Sequence, residues 1–198
     1  MNEFIKMNTV CLKNMQMLLE TISDTVNKLH DIFSIEYDNL EDYISENLTS
    51  QFIIGENYER GVMYSFGNES NYKRKYLSEL QPYQEMNYSI SIEENTKKKQ
   101  SLDICFGYIS DNKQNVIYFQ LFDFLESPII TESFIVEIKS KVPQKWDCNT
   151  SGENDVYIQF EIDNDFTIDK IKECSKVFKE YILLPTINKL HQLNINVL

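Results

Sequence analysis

The sequence contains no run approaching the roughly 18 apolar residues that cross a bilayer. Its opening, Met1-Asn2-Glu3-Phe4-Ile5-Lys6, lacks the basic start and continuous apolar core of an export signal. These absences predict a cytoplasmic protein with no membrane association. The four cysteines, Cys11, Cys105, Cys148 and Cys174, lie far apart with no C-x-x-C pair, which argues against a zinc knuckle or dithiol motif and predicts reduced thiols. Without export, the sequons at Asn47, Asn68, Asn87 and Asn149 carry no meaning. No G-x-G-x-x-G, P-loop or H-E-x-x-H occurs, so neither nucleotide nor zinc chemistry is signalled and no cofactor is expected. The two histidines, His30 and His191, sit near predicted helix ends, where the dipole favours such residues at the surface. Positive charge is scarce: 19 Lys and Arg against 31 Asp and Glu leave a net charge of −12. That charge repels nucleic acid and anionic membranes and favours basic partners at long range.

What the chain does have is aromatic residues, 13% of its 198, enough for a real core and a well-populated sheet. A compact chain of this length buries about 70% of the surface its unfolded form exposes, and a single domain, 1–198, is expected. Apolar residues alternate through 102–108, a cluster of turn formers occupies 110–115, and 116–122 runs β-branched and aromatic on both faces. The latter reads as a central strand. Residues 86–92, 134–139 and 156–162 alternate in the same way, and 94–100, with three successive lysines, reads as a solvated loop. About five strands, within 83–163, then form an antiparallel meander. Phe52 to Gly55 and Gly61 to Gly67 suggest a small hairpin.

Helical patterns flank the strands. From Phe4 to Phe33 two apolar stripes, Cys11, Met15, Leu18, Ile22, Leu29 and Ile32 beside Leu12, Leu19, Val26 and Phe33, require more than one neighbour. This long helix, 1–33, packs across the sheet or serves as an oligomerisation arm. A short amphipathic helix follows over 36–47, and a C-terminal helix over 167–192 begins at the N-cap Thr167 and kinks at Pro185. The fold class expected is α+β, a two-layer antiparallel meander packed by long N- and C-terminal helices.

Three stretches are candidates for function. The long connection 140–155 carries the only tryptophan and a polar run, and Trp146, Asp147, Glu153 and Asp155 are its candidate partner-binding residues. Asp123 lies fourteen residues before Phe134-Ile135-Val136-Glu137-Ile138-Lys139, an apolar strand ending in E-x-K. This pattern resembles the core motif of the PD-(D/E)XK nucleases. The resemblance implies Asp123 and Glu137 as magnesium ligands and Lys139 as the base or stabiliser; an exposed cross-strand ion pair is the alternative reading. Asp163-x-Asp165-x-Thr167-x-Asp169 resembles the start of a calcium loop, but Ile168 and Cys174 stand where Gly and Glu are needed, and acids at a helix start explain it better. Lys73-Arg74-Lys75, the only basic cluster of the polar stretch 68–81, reads as a solvated turn or helix end, and Tyr108, Tyr118, Phe119 and Tyr157 read as core.

The sequence favours binding over catalysis: an acidic cytoplasmic protein that sequesters or inhibits a basic protein partner, such as a nucleic-acid-processing enzyme, without binding nucleic acid itself. The alternatives are a magnesium-dependent nuclease using Asp123, Glu137 and Lys139, and a homodimeric assembly module built on the first helix.

Overall fold

Strand alternation at 86–92, 102–108 and 116–122 builds the middle of a seven-stranded antiparallel sheet. The computed structural model describes residues 2–49, 52–55, 60–66, 82–94, 97–110, 115–162 and 167–195. In chain order the elements are α1 (Asn2–Asn47), β1 (Phe52–Ile54), β2 (Arg60–Phe66), β3 (Pro82–Glu94), β4 (Lys97–Ser110), β5 (Asn115–Asp123), α2 (Glu132–Lys141), β6 (Asp147–Asn149), β7 (Asp155–Glu161), α3 (Ile168–Phe178) and α4 (Leu184–Ile195). A π-helical turn, Lys179–Leu183, joins the last two helices. The fold is α+β, with helices layered on an antiparallel sheet. The basic cluster at 73–75 and the acids at 163 and 165 lie outside the described residues.

The chain divides into two compact units, 1–35 and 36–198. The first is the greater part of α1. No Gly or Pro occurs before Gly55, and the two helices expected at 4–33 and 36–47 are one, 46 residues long.

In the second unit the strand order is β1-β3-β4-β5-β7-β6, with β2 also on β3. The hairpin expected from 52–55 and 61–67 does not form as such: β1 pairs with 92–94 of β3 and β2 with 82–88, so both short strands cover one edge of β3. The lysines at 97–99 belong to β4, which extends the strand into what reads from sequence as a loop.

Residues 134–139, expected as a strand, are helical. The pattern Phe-Ile-Val-Glu-Ile fits either period, because Phe134 and Ile138 share a face in both. Local signals decide for the helix. The Thr131 hydroxyl caps the Phe134 N–H at 3.4 Å, Glu132 stands in the first turn, Lys139 and Lys141 stand in the last, and Phe134, Ile135 and Ile138 are buried. Val136, inward-facing in the strand reading, is 62% exposed.

One face of the sheet carries the core. Register places Tyr88, Phe106, Phe119 and Ile158 in one row across β3, β4, β5 and β7. Ring centroids lie 5.5 Å apart for Tyr88 and Phe106 and 5.3 Å for Phe106 and Phe119. Tyr37, near the end of α1, meets Tyr88 and Phe106 at 6.5 Å each, and Phe178 of α3 meets Phe119 at 5.7 Å. A helix thus meets each end of this row of rings.

The last helical segment carries the expected buried face, Ile171, Cys174, Phe178 and Ile182, while Ile168 is 47% exposed. Pro185 does not end the helix. Its ring nitrogen cannot donate, so the preceding turn widens to the π spacing, with the Leu184 N–H bonding the Lys179 carbonyl. The Thr186 hydroxyl donates to the Ile182 carbonyl at 2.7 Å.

Candidate functional site

The residues named by the nuclease resemblance are placed as follows. Asp123 ends β5 and is buried, and backbone N–H groups occupy its carboxylate: Ile129 and Ile130 donate to Oδ2 at 2.6 and 2.9 Å, and Leu125 donates to Oδ1 at 3.0 Å. It is the knot of the loop leading into α2. Glu137 is exposed on α2 and pairs with Lys141 one turn on, at 2.6 Å, which holds its carboxyl below the usual range. Lys139 donates to Asn149 Oδ1 at 3.3 Å, at the β6 margin. The strand ending in E-x-K is therefore a helix, and the expected cross-strand ion pair is an ion pair along it. Among the described residues no group of three or more His, Cys, Asp or Glu side chains could hold a metal.

The 140–155 connection is shorter than it reads from sequence, since it contains the end of α2 and the edge strand β6. Trp146 is 8% exposed and meets Phe160 edge-on at 5.6 Å, so it belongs to the core and offers no surface anchor. Lys145 beside it pairs with Glu173 of α3. Asp155 is buried at the start of β7. It accepts from the Ser151 hydroxyl at 2.6 Å, the Gln120 amide at 2.7 Å, and the N–H groups of Ser151 and Gly152. Burial pushes its carboxyl up, but these hydrogen bonds outweigh burial and hold it below the usual range. Asp147 and Glu153 are exposed.

The side of the sheet away from the aromatic row is the candidate site. It holds a cleft of about 380 Å³, lined by Asn87, Cys105, Tyr118, Gln120, Tyr157 and Gln159 among others. Register makes its floor a block of four: Tyr118 stands opposite Gln159, and Gln120 opposite Tyr157. Two tyrosines occupy one diagonal and two glutamines the other. The Gln120 Nε2 bonds Asp155 and the Ser151 hydroxyl, the Gln159 Nε2 bonds Asp147 at 3.1 Å, and the Tyr118 hydroxyl donates to Asn87 Oδ1 at 3.3 Å.

Alternation and register put Glu93, Asp103, Asp147, Asp155 and Glu161 on this face, and none of its described side chains on the strands is Lys or Arg. Burial raises the Tyr157 hydroxyl, and Asp147, Asp155 and Cys148 raise it further, so the phenol stays neutral in a negative field. Two of the thiols are held protonated: burial pushes Cys148 up to about 11, and Cys174 well above its ordinary value.

Sequence reading takes Tyr118 and Tyr157 as core and passes over Gln120 and Gln159; Tyr118 is indeed buried, whereas Tyr157 is half-buried at the cleft. A signal was present. Gln120 is the one polar side chain within an otherwise apolar run, 116–122, and a polar group there marks the face opposite the core.

Compared with protein-family models, curated proteins and solved structures, the chain matches none.

Proposed function

We propose that this is a binding protein without catalysis, which sequesters or inhibits a basic protein partner by docking it on the acidic face of the sheet, opposite the aromatic row. The observation that carries the reading is the charge of that face: five acids on β3, β4, β6 and β7, with no Lys or Arg among its described strand side chains. Carboxylates collected on one surface lower the potential there, steer cations towards it and repel phosphate. The net charge of −12 adds to the effect at long range. The face is also stiff, because each carboxylate described in hydrogen bonds is already oriented by its neighbours: Asp103 by Ser91 at 2.5 Å, Asp147 by Asn149 at 2.6 Å, and Asp155 by the 151–152 loop. Preorganised acceptors cost less to order on binding. No observation favours the nuclease or homodimer readings specifically.

The test is capture of a partner from nuclease-treated host lysate by tagged protein, at low salt and at 0.5 M salt, with Asp147→Lys/Glu161→Lys as the control. Both residues are exposed, so the double variant folds. A stoichiometric protein that binds at low salt, releases at high salt and is lost by the double variant supports the proposal. Capture that is unchanged by the double variant refutes this face as the docking surface.

A further inference from the structure

We infer that the cleft on the acidic face is a recognition site for the guanidinium of a partner arginine. This deepens the partner-binding reading and rests on it.

Three features of the block formed by Tyr118, Gln120, Tyr157 and Gln159 select that group. The first is the direction of the amides. Gln120 turns its NH₂ to Asp155 and Ser151, and Gln159 turns its NH₂ to Asp147, while neither Oε1 accepts a hydrogen bond among the described residues. The carboxylates thereby leave an unfilled acceptor oxygen on each of two residues that line the cleft. Tyr118 spends its own proton on Asn87. Two unfilled glutamine oxygens in one cleft suit a ligand made of N–H groups.

An aromatic wall is the second feature. Tyr157, opposite Gln120, lines the cleft and is half-buried, so one face of a planar group can rest on its ring. A guanidinium is planar, stacks on aromatic rings and carries five donors, whereas an ammonium is compact and strongly hydrated.

The third feature is charge. Asp147 and Asp155, one behind each glutamine, neutralise a cation in the cleft without contacting it directly. A neutral planar ligand, such as a base or an amide, would gain the stacking and forgo the field. The volume, about 380 Å³, lies near the small end of ligand sites and is enough for an arginine side chain.

The experiment is a two-dimensional ¹H–¹⁵N titration of the full chain with acetyl-Gly-Arg-Gly-amide, its lysine counterpart, and its citrulline counterpart, in which a neutral ureido group of the same shape replaces the guanidinium. The expected result is saturable movement of the Gln120 and Gln159 side-chain amide signals with the arginine peptide. Binding should be about tenfold or more weaker for the citrulline peptide, the loss expected when hydrogen bonds to a charged group are removed, with lysine in between. Gln159→Leu should weaken the arginine peptide by a similar factor while the backbone spectrum elsewhere stays in place; Tyr157→Leu should do the same.

No movement with the arginine peptide, equal binding of the citrulline peptide, or unchanged binding by Gln159→Leu each overturns the inference. The two readings fail separately. Partner capture that Asp147→Lys/Glu161→Lys abolishes, with glutamine signals indifferent to the arginine peptide, overturns the cleft assignment alone. Selective arginine binding with capture untouched by the double variant leaves the cleft assignment standing and overturns the docking face.

Discussion

Replacing Asp123 by Ala should destabilise the protein severely, and the structure sets the size of the effect. The carboxylate accepts three backbone N–H groups, from Leu125 at 3.0 Å, Ile129 at 2.6 Å and Ile130 at 2.9 Å. Ile129 and Ile130 are 6% and 0% exposed, so water cannot replace the lost acceptor there. Two orphaned buried donors at about 1–3 kcal/mol each give a loss of about 2–6 kcal/mol, with the more accessible Leu125 N–H adding little. For a domain of this size each kcal/mol lowers Tm by roughly 2–4 °C, so a mid-range loss of about 4 kcal/mol is a fall of roughly 8–16 °C. Asp123→Asn should fall between wild type and Ala, because the amide keeps one acceptor oxygen and turns its NH₂ towards the other donors. The assay is urea unfolding followed by the fluorescence of the single, buried Trp146 and by circular dichroism. The midpoint should fall with the slope unchanged. A loss below about 1 kcal/mol in the Ala variant would refute the account of Asp123 as the knot of the 124–130 loop. Magnesium-dependent cleavage of nucleic acid that disappears in a fully stable Asp123→Ala protein would replace it with the nuclease reading.

Other perturbations test the core and the site. Phe106→Ala, in the middle of the aromatic row, should cost about 3–5 kcal/mol in the same unfolding assay. Gly107→Ala should disturb the β3–β4 pairing, because an added Cβ would lie 1.8 Å from the Met86 carbonyl oxygen and backbone must move; a loss of at least about 1–3 kcal/mol is expected, with altered amide exchange along β3. Since the folded-state carboxyl of Asp155 sits below its ordinary value, the stability it contributes is complete above the unfolded pKa of about 3.9 and is lost as pH falls through the folded value. The urea midpoint of Asp155→Asn should therefore fall less steeply than that of wild type below pH 4. Cys174, fully buried with its thiol raised, should resist alkylation in the native protein and react only on unfolding, as mass spectrometry of labelled peptides would show.

The sequence by itself determined the antiparallel sheet class, the strands at 86–92, 102–108, 116–122 and 156–162, and the buried face of the C-terminal helix. Period-2 or period-3.6 alternation over several residues is a local property, and burial then selects one face. It also determined the acidity of the surface, since charge needs no fold to be counted. Other features depended on tertiary structure. Phe134 to Lys139 satisfied both periods, and a cap, a dipole and the available neighbours chose the helix. Trp146 stood in a polar stretch that reads as a loop, yet Phe160 lies within reach of its ring only once β7 pairs with β5. The significance of Asp123 is invisible in its own neighbourhood, because its donors, Ile129 and Ile130, arrive only when the loop closes. The cleft is the clearest case. Residues 118 and 120 meet 159 and 157 through register alone, and no spacing along the chain announces that two tyrosines and two glutamines will stand on crossed diagonals with an aspartate behind each amide. Alternation says which residues share a face, and strand pairing across nearly forty positions says which of them become neighbours.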